Sequence, residues 1–201
     1  MSSLLHSINT RYGTYRGYIR LALARLSAKT GRIDQYLTFN PAITKRLVFV
    51  CLGNINRSAY GEAYTHHHSH FPVCSIGLST TTGAPATDIA IQKAADRFID
   101  MTSHTATTIS DFERLEGDLL LAMEIRHADA LRERYGEDAQ IFLLGSLPKR
   151  RYVHIHDPHT LSSDYYTSCF NRIEESTRAL LAALDSSKNI ESKKNQAKQQ
   201  A

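Results

Sequence analysis

Five residues separate a cysteine from an arginine–serine pair in the run Cys51-Leu52-Gly53-Asn54-Ile55-Asn56-Arg57-Ser58. The types suggest attack by sulfur on an anionic centre. A thiolate can split one difficult displacement into two easier ones. The planar fork of Arg57 can hold two oxygens of one phosphoryl group, and Ser58 can donate a hydrogen bond to the sulfur. Gly53 and Asn54 tolerate the left-handed backbone that a tight loop requires. A loop of this kind running from a strand end into a helix N-terminus turns its backbone N–H groups inward. It then forms an anion cradle, and the same field favours thiolate over thiol. The loop lacks the Gly-Lys-Ser/Thr ending of a nucleotide-binding P-loop, which excludes that chemistry.

Such a loop needs a sheet to carry it. Leu47–Val50 is a short continuous apolar run, the pattern of a strand buried on both faces. Helix is expected from Ser58 to about His70 and strand over Pro72–Ile76. A loop over Ser79–Ala86 leads to helix over Asp88–Ile99, then a short helical turn over Ile109–Arg114. Strand follows at Leu119–Met123, helix at Arg126–Tyr135 and strand at Gln140–Leu144. A loop then runs from Gly145 to about Leu161, before a last helix from about Ser162 to Leu184. This alternation predicts an α/β fold: an open four-stranded parallel sheet with helices on both faces and the phosphate-binding loop after the first strand. In such sheets ligands bind at the carboxyl ends of the strands, where Cys51 falls.

The rest of the chain divides by charge. Residues 1–45 carry seven Lys/Arg against Asp34 alone, and residues 187–201 carry four Lys against Glu191. The stretch between them, with 13 Lys/Arg and 18 Asp/Glu, is acidic. The net charge of +4 therefore belongs to the two arms, and nucleic-acid binding by the whole protein is not expected. The division predicts a basic N-terminal extension (1–45), a catalytic domain (46–186) and a basic, disordered tail (187–201). Within the extension, residues 11–29 read as one helix, with Tyr12, Tyr15, Ile19, Ala22, Leu23 and Leu26 on its apolar side and Arg16 and Arg20 opposite. No apolar run is long enough to span a membrane, and no secretory signal is evident. Three cysteines at wide spacing suggest a reducing, cytoplasmic setting, with Cys74 and Cys169 as buried thiols.

The core resembles the low-molecular-weight protein tyrosine phosphatases over about residues 46–185. The resemblance centres on VFVCLGNINRSAYGEA and continues through CSIGL, GAPATDIAIQKA, DMTSHTA, LLLAMEIRHADAL and HDPHT, in order. The Met-Glu-x-Arg-His stretch and the short loop after Gly77 are most similar to the bacterial capsule and exopolysaccharide subgroup, which acts on tyrosine autokinases. The resemblance implies that Cys51 is the nucleophile and forms a phosphocysteine. Arg57 and the amides of Leu52, Gly53, Asn54, Ile55, Asn56 and Ser58 would bind the phosphoryl group, with His159 beside it. Asp157 would protonate the leaving tyrosine oxygen and then activate water. Asn54, Ser58, Ser75 and His104 would form a supporting network. No metal or cofactor is implied.

The sequence also departs from the family. Asn56 replaces a second loop cysteine, Ala59 replaces a proline, and His159 stands where an aromatic residue is usual. No aromatic lies in Leu78–Thr82 either. Three other readings fit these residues less well. An arsenate reductase on the same fold needs a relay of thiols, and residues 78–168 contain no cysteine. A protein-arginine phosphatase of this family carries a smaller, polar residue at the position of Ile55. A non-catalytic phosphotyrosine-binding module would not need Cys51, Arg57 and Asp157 intact. His66, His67, His68 and His70 read as a solvated helix face rather than a metal site. Residues 1–45 fit a docking helix on the core, a kinase contact, a membrane-surface contact or a targeting segment.

Overall fold

A computed structural model describes the backbone at residues 2–148 and 152–199, and side chains at 5–148 and 152–187. Residues 149–151 of the predicted 145–161 loop and the side chains of the tail from residue 188 onward lie outside it.

Strands β1 (Arg46–Cys51), β2 (Val73–Gly77), β3 (Asp118–Ala122) and β4 (Gln140–Leu143) form one parallel sheet in the order β2-β1-β3-β4. The chain steps from β1 outward to β2, then crosses back to pair β3 on the other side of β1. This reversal makes the carboxyl ends of β1 and β3 diverge into a crevice, the usual ligand position in such sheets. Alternation along β1 supplies both faces with core. Leu47, Phe49 and Cys51 face helices α3 (Arg57–His68), α4 (Asp88–Ala95) and α6 (Ser163–Gln199). Val48 and Val50 face α5 (Ile125–Tyr135) together with Ile33 and Tyr36. On α6, Tyr166, Cys169, Phe170, Ile173, Leu180 and Leu184 recur at helical spacing and are all buried. Among the described residues no helix is long and apolar enough to cross a membrane.

Four local readings need correction. The expected helix over 11–29 is two helices, α1 (Ser2–Tyr12) and α2 (Tyr15–Lys29). Gly13, at φ +77°, breaks the path in a conformation that disfavours other residues, and Thr14 caps α2 by accepting from Gly17 N. The side of α2 read as its apolar side points outward, whereas Leu21 and Ala24 are buried against Val153 and Gly17 against His156. Small residues let that face approach closely, so it packs in place of the larger side chains. The tail read as disordered continues α6 to Gln199. No Gly or Pro interrupts residues 163–201, and Lys, Gln, Glu and Ala are good helix formers. Residues 109–111 form a turn and 112–114 no regular structure, in place of the expected helical turn, because Ile109 N is drawn to Gly77 O beside the sheet.

Candidate active site

β1 ends at Cys51 and α3 begins at Arg57, so the five residues between them form a loop at the mouth of the crevice. Asn54 is its pivot. It adopts φ +52°, one of three non-glycine residues described with positive φ, whereas Gly53 does not need that freedom. Asn54 N donates to Cys51 Sγ at 3.3 Å. Its Nδ2 donates to Ser58 Oγ (2.9 Å) and Ser75 Oγ (2.6 Å). Its Oδ1 accepts from Thr107 N, and its carbonyl is 2.7 Å from His104 Nε2. Asn54 is fully buried, and every polar group of its side chain is satisfied, which over-determines the strained backbone. Ser58 Oγ accepts from Asn54 and holds its own proton between Cys51 Sγ at 3.0 Å and Ile76 O at 3.4 Å, with the sulfur the nearer acceptor. The structure thus brings Asn54, Ser58, Ser75 and His104 together. It adds Glu62, which accepts from Ser75 Oγ at 2.5 Å.

Asn56 is also tied down. Its Oδ1 accepts from Thr87 Oγ1 (2.6 Å) and from Tyr166 Oη (3.3 Å). The loop is thereby fastened to the start of α4 and to α6. Thr87 caps α4 by accepting from Ala90 N.

Arg57 is fully buried, which is costly for a charge without partners. Its Nη1 donates to Glu124 Oε1 (2.5 Å) and to Ile155 O (2.9 Å), and its Nη2 donates to Asp157 Oδ2 (2.7 Å). Burial alone would lower its affinity for the proton. The charges of Asp157, Cys51 and Glu124 outweigh burial and hold the guanidinium above its ordinary range. Glu124 follows the end of β3, next to the end of β1. Burial pushes its carboxyl up, but Arg57, His127 and His154 hold it well below the usual carboxylate range. Arg126 Nε donates to Glu124 Oε2 at 2.9 Å. Sequence reasoning assigned Glu124 no part in the site. The available signal was an acid directly after an apolar strand.

Cys51, Leu52, Gly53, Ile55, Asn56, Asp157 and His159, joined by Ser79, line one cleft of about 120 Å³. His159 N donates to Asp157 Oδ1 at 3.2 Å, and His159 is the cleft's one ring-bearing side chain among the described residues. Neither Cys74 nor Cys169 lines it; Cys169 is buried as expected, whereas Cys74, expected to be buried, is only half-buried. Burial pushes the Cys74 thiol up to about 11 and the Cys169 thiol up to about 12. His66 sits on exposed α3 surface, 3.8 Å from Glu62.

The acid loop rests on the N-terminal helices. His156 Nε2 lies 3.4 Å from Thr14 Oγ1, and a Cβ built on Gly17 would fall 2.8 Å from the His156 ring.

The family profile for low molecular weight phosphotyrosine protein phosphatase matches residues 46–190. The low molecular weight protein-tyrosine-phosphatase Wzb of Escherichia coli (strain K12) is 31% identical over 141 residues, which cover 69% of this chain and 95% of that protein. A protein-arginine-phosphatase of Bacillus subtilis (strain 168) is 25% identical, over 69% of this chain and 95% of its own. The crystal structure of the Erwinia amylovora tyrosine phosphatase AmsI superposes with a TM-score of 0.61 at 23% identity, over 73% of this chain and 97% of that one.

Proposed function

Because the chain belongs to the low-molecular-weight phosphotyrosine protein phosphatase family, we propose that it hydrolyses phosphotyrosine through a phosphocysteine on Cys51, with residues 46–186 as the catalytic unit. One observation carries the reading. The Cys51 sulfur, held by Ser58 Oγ at 3.0 Å and Asn54 N at 3.3 Å, shares a cleft with Asp157, which is paired to Arg57 at 2.7 Å.

Nη1 of Arg57 is committed to Glu124 and Ile155 O. The Nε–Nη2 edge is left for an anion: Nε has no hydrogen-bond partner among the described residues, and Nη2 meets Asp157. A phosphoryl group taking that edge displaces the Asp157 carboxylate. Released from Arg57, the carboxyl is left in the cleft beside the bound phosphoryl group. It is then fit to act as an acid. The Cys51 thiolate attacks phosphorus, the bond to the tyrosine oxygen breaks, and Asp157 delivers its proton to that oxygen. In the second step water attacks the phosphocysteine and gives its proton to Asp157. The P–S bond breaks, returning the thiolate and free phosphate. Leu52, Gly53, Asn54, Ile55, Asn56 and Ser58 supply the amides that stabilise the equatorial charge. Asn54, Ser58, Ser75 and His104 hold the loop, and His159 borders the leaving group. In this reading the substrate is a phosphotyrosine protein, and the matches to Wzb and AmsI favour a bacterial tyrosine autokinase at a cytoplasmic site.

The test is turnover of a phosphotyrosine peptide, a phosphoarginine peptide and p-nitrophenyl phosphate by wild type and Cys51→Ser, with mass spectrometry of acid-quenched protein. Phosphate on Cys51, no activity in the variant and preference for phosphotyrosine are expected, with EDTA leaving rates unchanged. Preference for phosphoarginine would move the assignment to that substrate, and activity in Cys51→Ser would overturn the mechanism.

A further inference from the structure

Helix α2 is turned inside out for a helix docked on a globular core. Such helices face the core with their apolar stripe. Here Gly17, Leu21 and Ala24 make the contact, and the larger apolar side chains point to solvent. Tyr15 is 61% exposed, Ile19 39%, Leu23 57% and Leu26 57%. With exposed Ala22 they follow one line at spacings of three and four residues. Tyr18 (44% exposed) borders the line and meets Tyr12 edge-on. At 3.6 residues per turn, the stripe with Tyr18 covers roughly 140° of the helix. Arg16 and Arg20 flank one side of it and Arg25 the other, while Lys29 closes the stripe at the C-terminal end of the helix. All four are exposed, and no acid occurs before Asp34.

We propose that α2 is an interfacial helix that seats the protein on an anionic lipid surface. The pattern is that of a helix lying in the plane of a membrane: an apolar stripe sunk below the headgroups, with cations on both flanks reaching lipid phosphates. Tyr15 and Tyr18 suit the boundary, where an aromatic body meets apolar chains and its hydroxyl meets water. The opposite face keeps the stripe turned outward. Gly17 is pressed against His156, and the α1–α2 corner is fixed by Arg172, which donates to Arg11 O and lies over the Tyr12 ring. The charge division supports the same occupant. Residues 1–45 are strongly basic while the stretch 46–186 is acidic, so an anionic surface attracts this face and repels the rest.

Vesicle flotation with the full chain tests this. Vesicles of phosphatidylcholine with about one-third phosphatidylserine should carry the protein, and pure phosphatidylcholine should carry at least about tenfold less. Ile19→Asp/Leu23→Asp should lose binding to the mixed vesicles while turning over p-nitrophenyl phosphate as wild type does. Arg16→Glu/Lys29→Glu, which leaves the stripe intact, should also lose most of it, and high salt should weaken the wild type. Failure of wild type to float with the mixed vesicles, or equal flotation of the Ile19/Leu23 variant, overturns the proposal. Self-association abolished by Ile19→Asp/Leu23→Asp, with no lipid binding, would overturn it in favour of a second copy.

Discussion

Arg57 Nη2 and Asp157 Oδ2 stand 2.7 Å apart, an ion pair between a cation placed to bind phosphate and a carboxylate placed to protonate the leaving group. The pair must open before either acts. Asp157 therefore both competes with the substrate and assists it, and the two effects separate by experiment.

Asp157→Ala should slow phosphotyrosine hydrolysis by about 10²–10⁴-fold, the usual range for a lost general acid. It should slow p-nitrophenyl phosphate far less, because nitrophenolate leaves without a proton. Inorganic phosphate, as a competitive inhibitor, should bind the variant at least as tightly as wild type, since the Arg57 edge has lost its internal competitor. Equal losses on both substrates, or markedly weaker phosphate inhibition, would remove Asp157 from these roles.

Glu124→Gln keeps an acceptor for Arg57 Nη1 but removes the charge. It should lower kcat/KM by about 10²-fold and weaken phosphate inhibition in parallel, through a guanidinium less firmly aimed. Glu124→Ala takes from buried Arg57 the more deeply buried of its two carboxylate partners and should destabilise the fold by about 3 kcal/mol. Chemical denaturation measures the second effect and steady-state kinetics the first. A fully active Glu124→Gln enzyme would show that the charge of Glu124 is not needed to aim Arg57.

Burial holds His127 at about 3 and His154 at about 4, against 6.5 ordinarily. Below pH 6.5 the unfolded chain takes up protons that the folded chain refuses. Stability should therefore fall with decreasing pH, by up to about 1.4 kcal/mol per pH unit for each histidine, until the folded values are reached. Above 6.5 neither contributes, and Glu124 is ionised in both states above its ordinary 4.5. The check is urea denaturation at a series of pH values from about 7 to about 5, where His127→Leu should flatten the slope by one histidine's share.

Peroxide should drive Cys51 through sulfenic to sulfinic acid, with incomplete recovery under dithiothreitol. Asn56 offers no thiol. Cys169 is buried and pushed up to about 12, so it is not poised to condense. Asn56→Cys should recover better, but it gives up the bonds from Thr87 and Tyr166 and should also be less stable. Loop-peptide mass spectrometry decides, and full wild-type recovery through a Cys51–Cys169 disulfide would refute the expectation.

Deleting residues 1–45 should reach the active site although loop, acid and network all lie beyond them. The deletion uncovers Val153 and removes Thr14 and Gly17 from His156, the neighbour of Asp157. Phosphotyrosine turnover should fall more than p-nitrophenyl phosphate turnover. Equal, small effects would show that the acid loop stands unaided.

What was legible in the sequence is what is local in the chain. Cys51, the glycine–asparagine turn and Arg57 lie on one strand–loop–helix unit whose geometry follows from its residue types. Glu124 was not legible, because its place beside Arg57 depends on β3 crossing to pair with β1, a relation between segments about seventy residues apart. The facing of α2 was misread for a related reason. Periodicity locates an apolar stripe, but which face packs depended on Gly17 and Ala24 meeting Val153 and His156. Composition also made a helix-prone tail resemble a disordered one.

The burial of Arg57 ties catalysis to the completion of folding. Its partners Glu124, Ile155 and Asp157 come from 67, 98 and 100 residues further along the chain. A nascent chain that has made only β1 and α3 holds the nucleophile and arginine in sequence, yet has nothing to desolvate the cation against. Contacts of such long separation form late and at high loop-closure cost. The cradle can therefore become competent only once β3 and the acid loop have docked. Phosphatase activity regained during refolding then reports the last steps of assembly, and should lag behind recovery of helical signal.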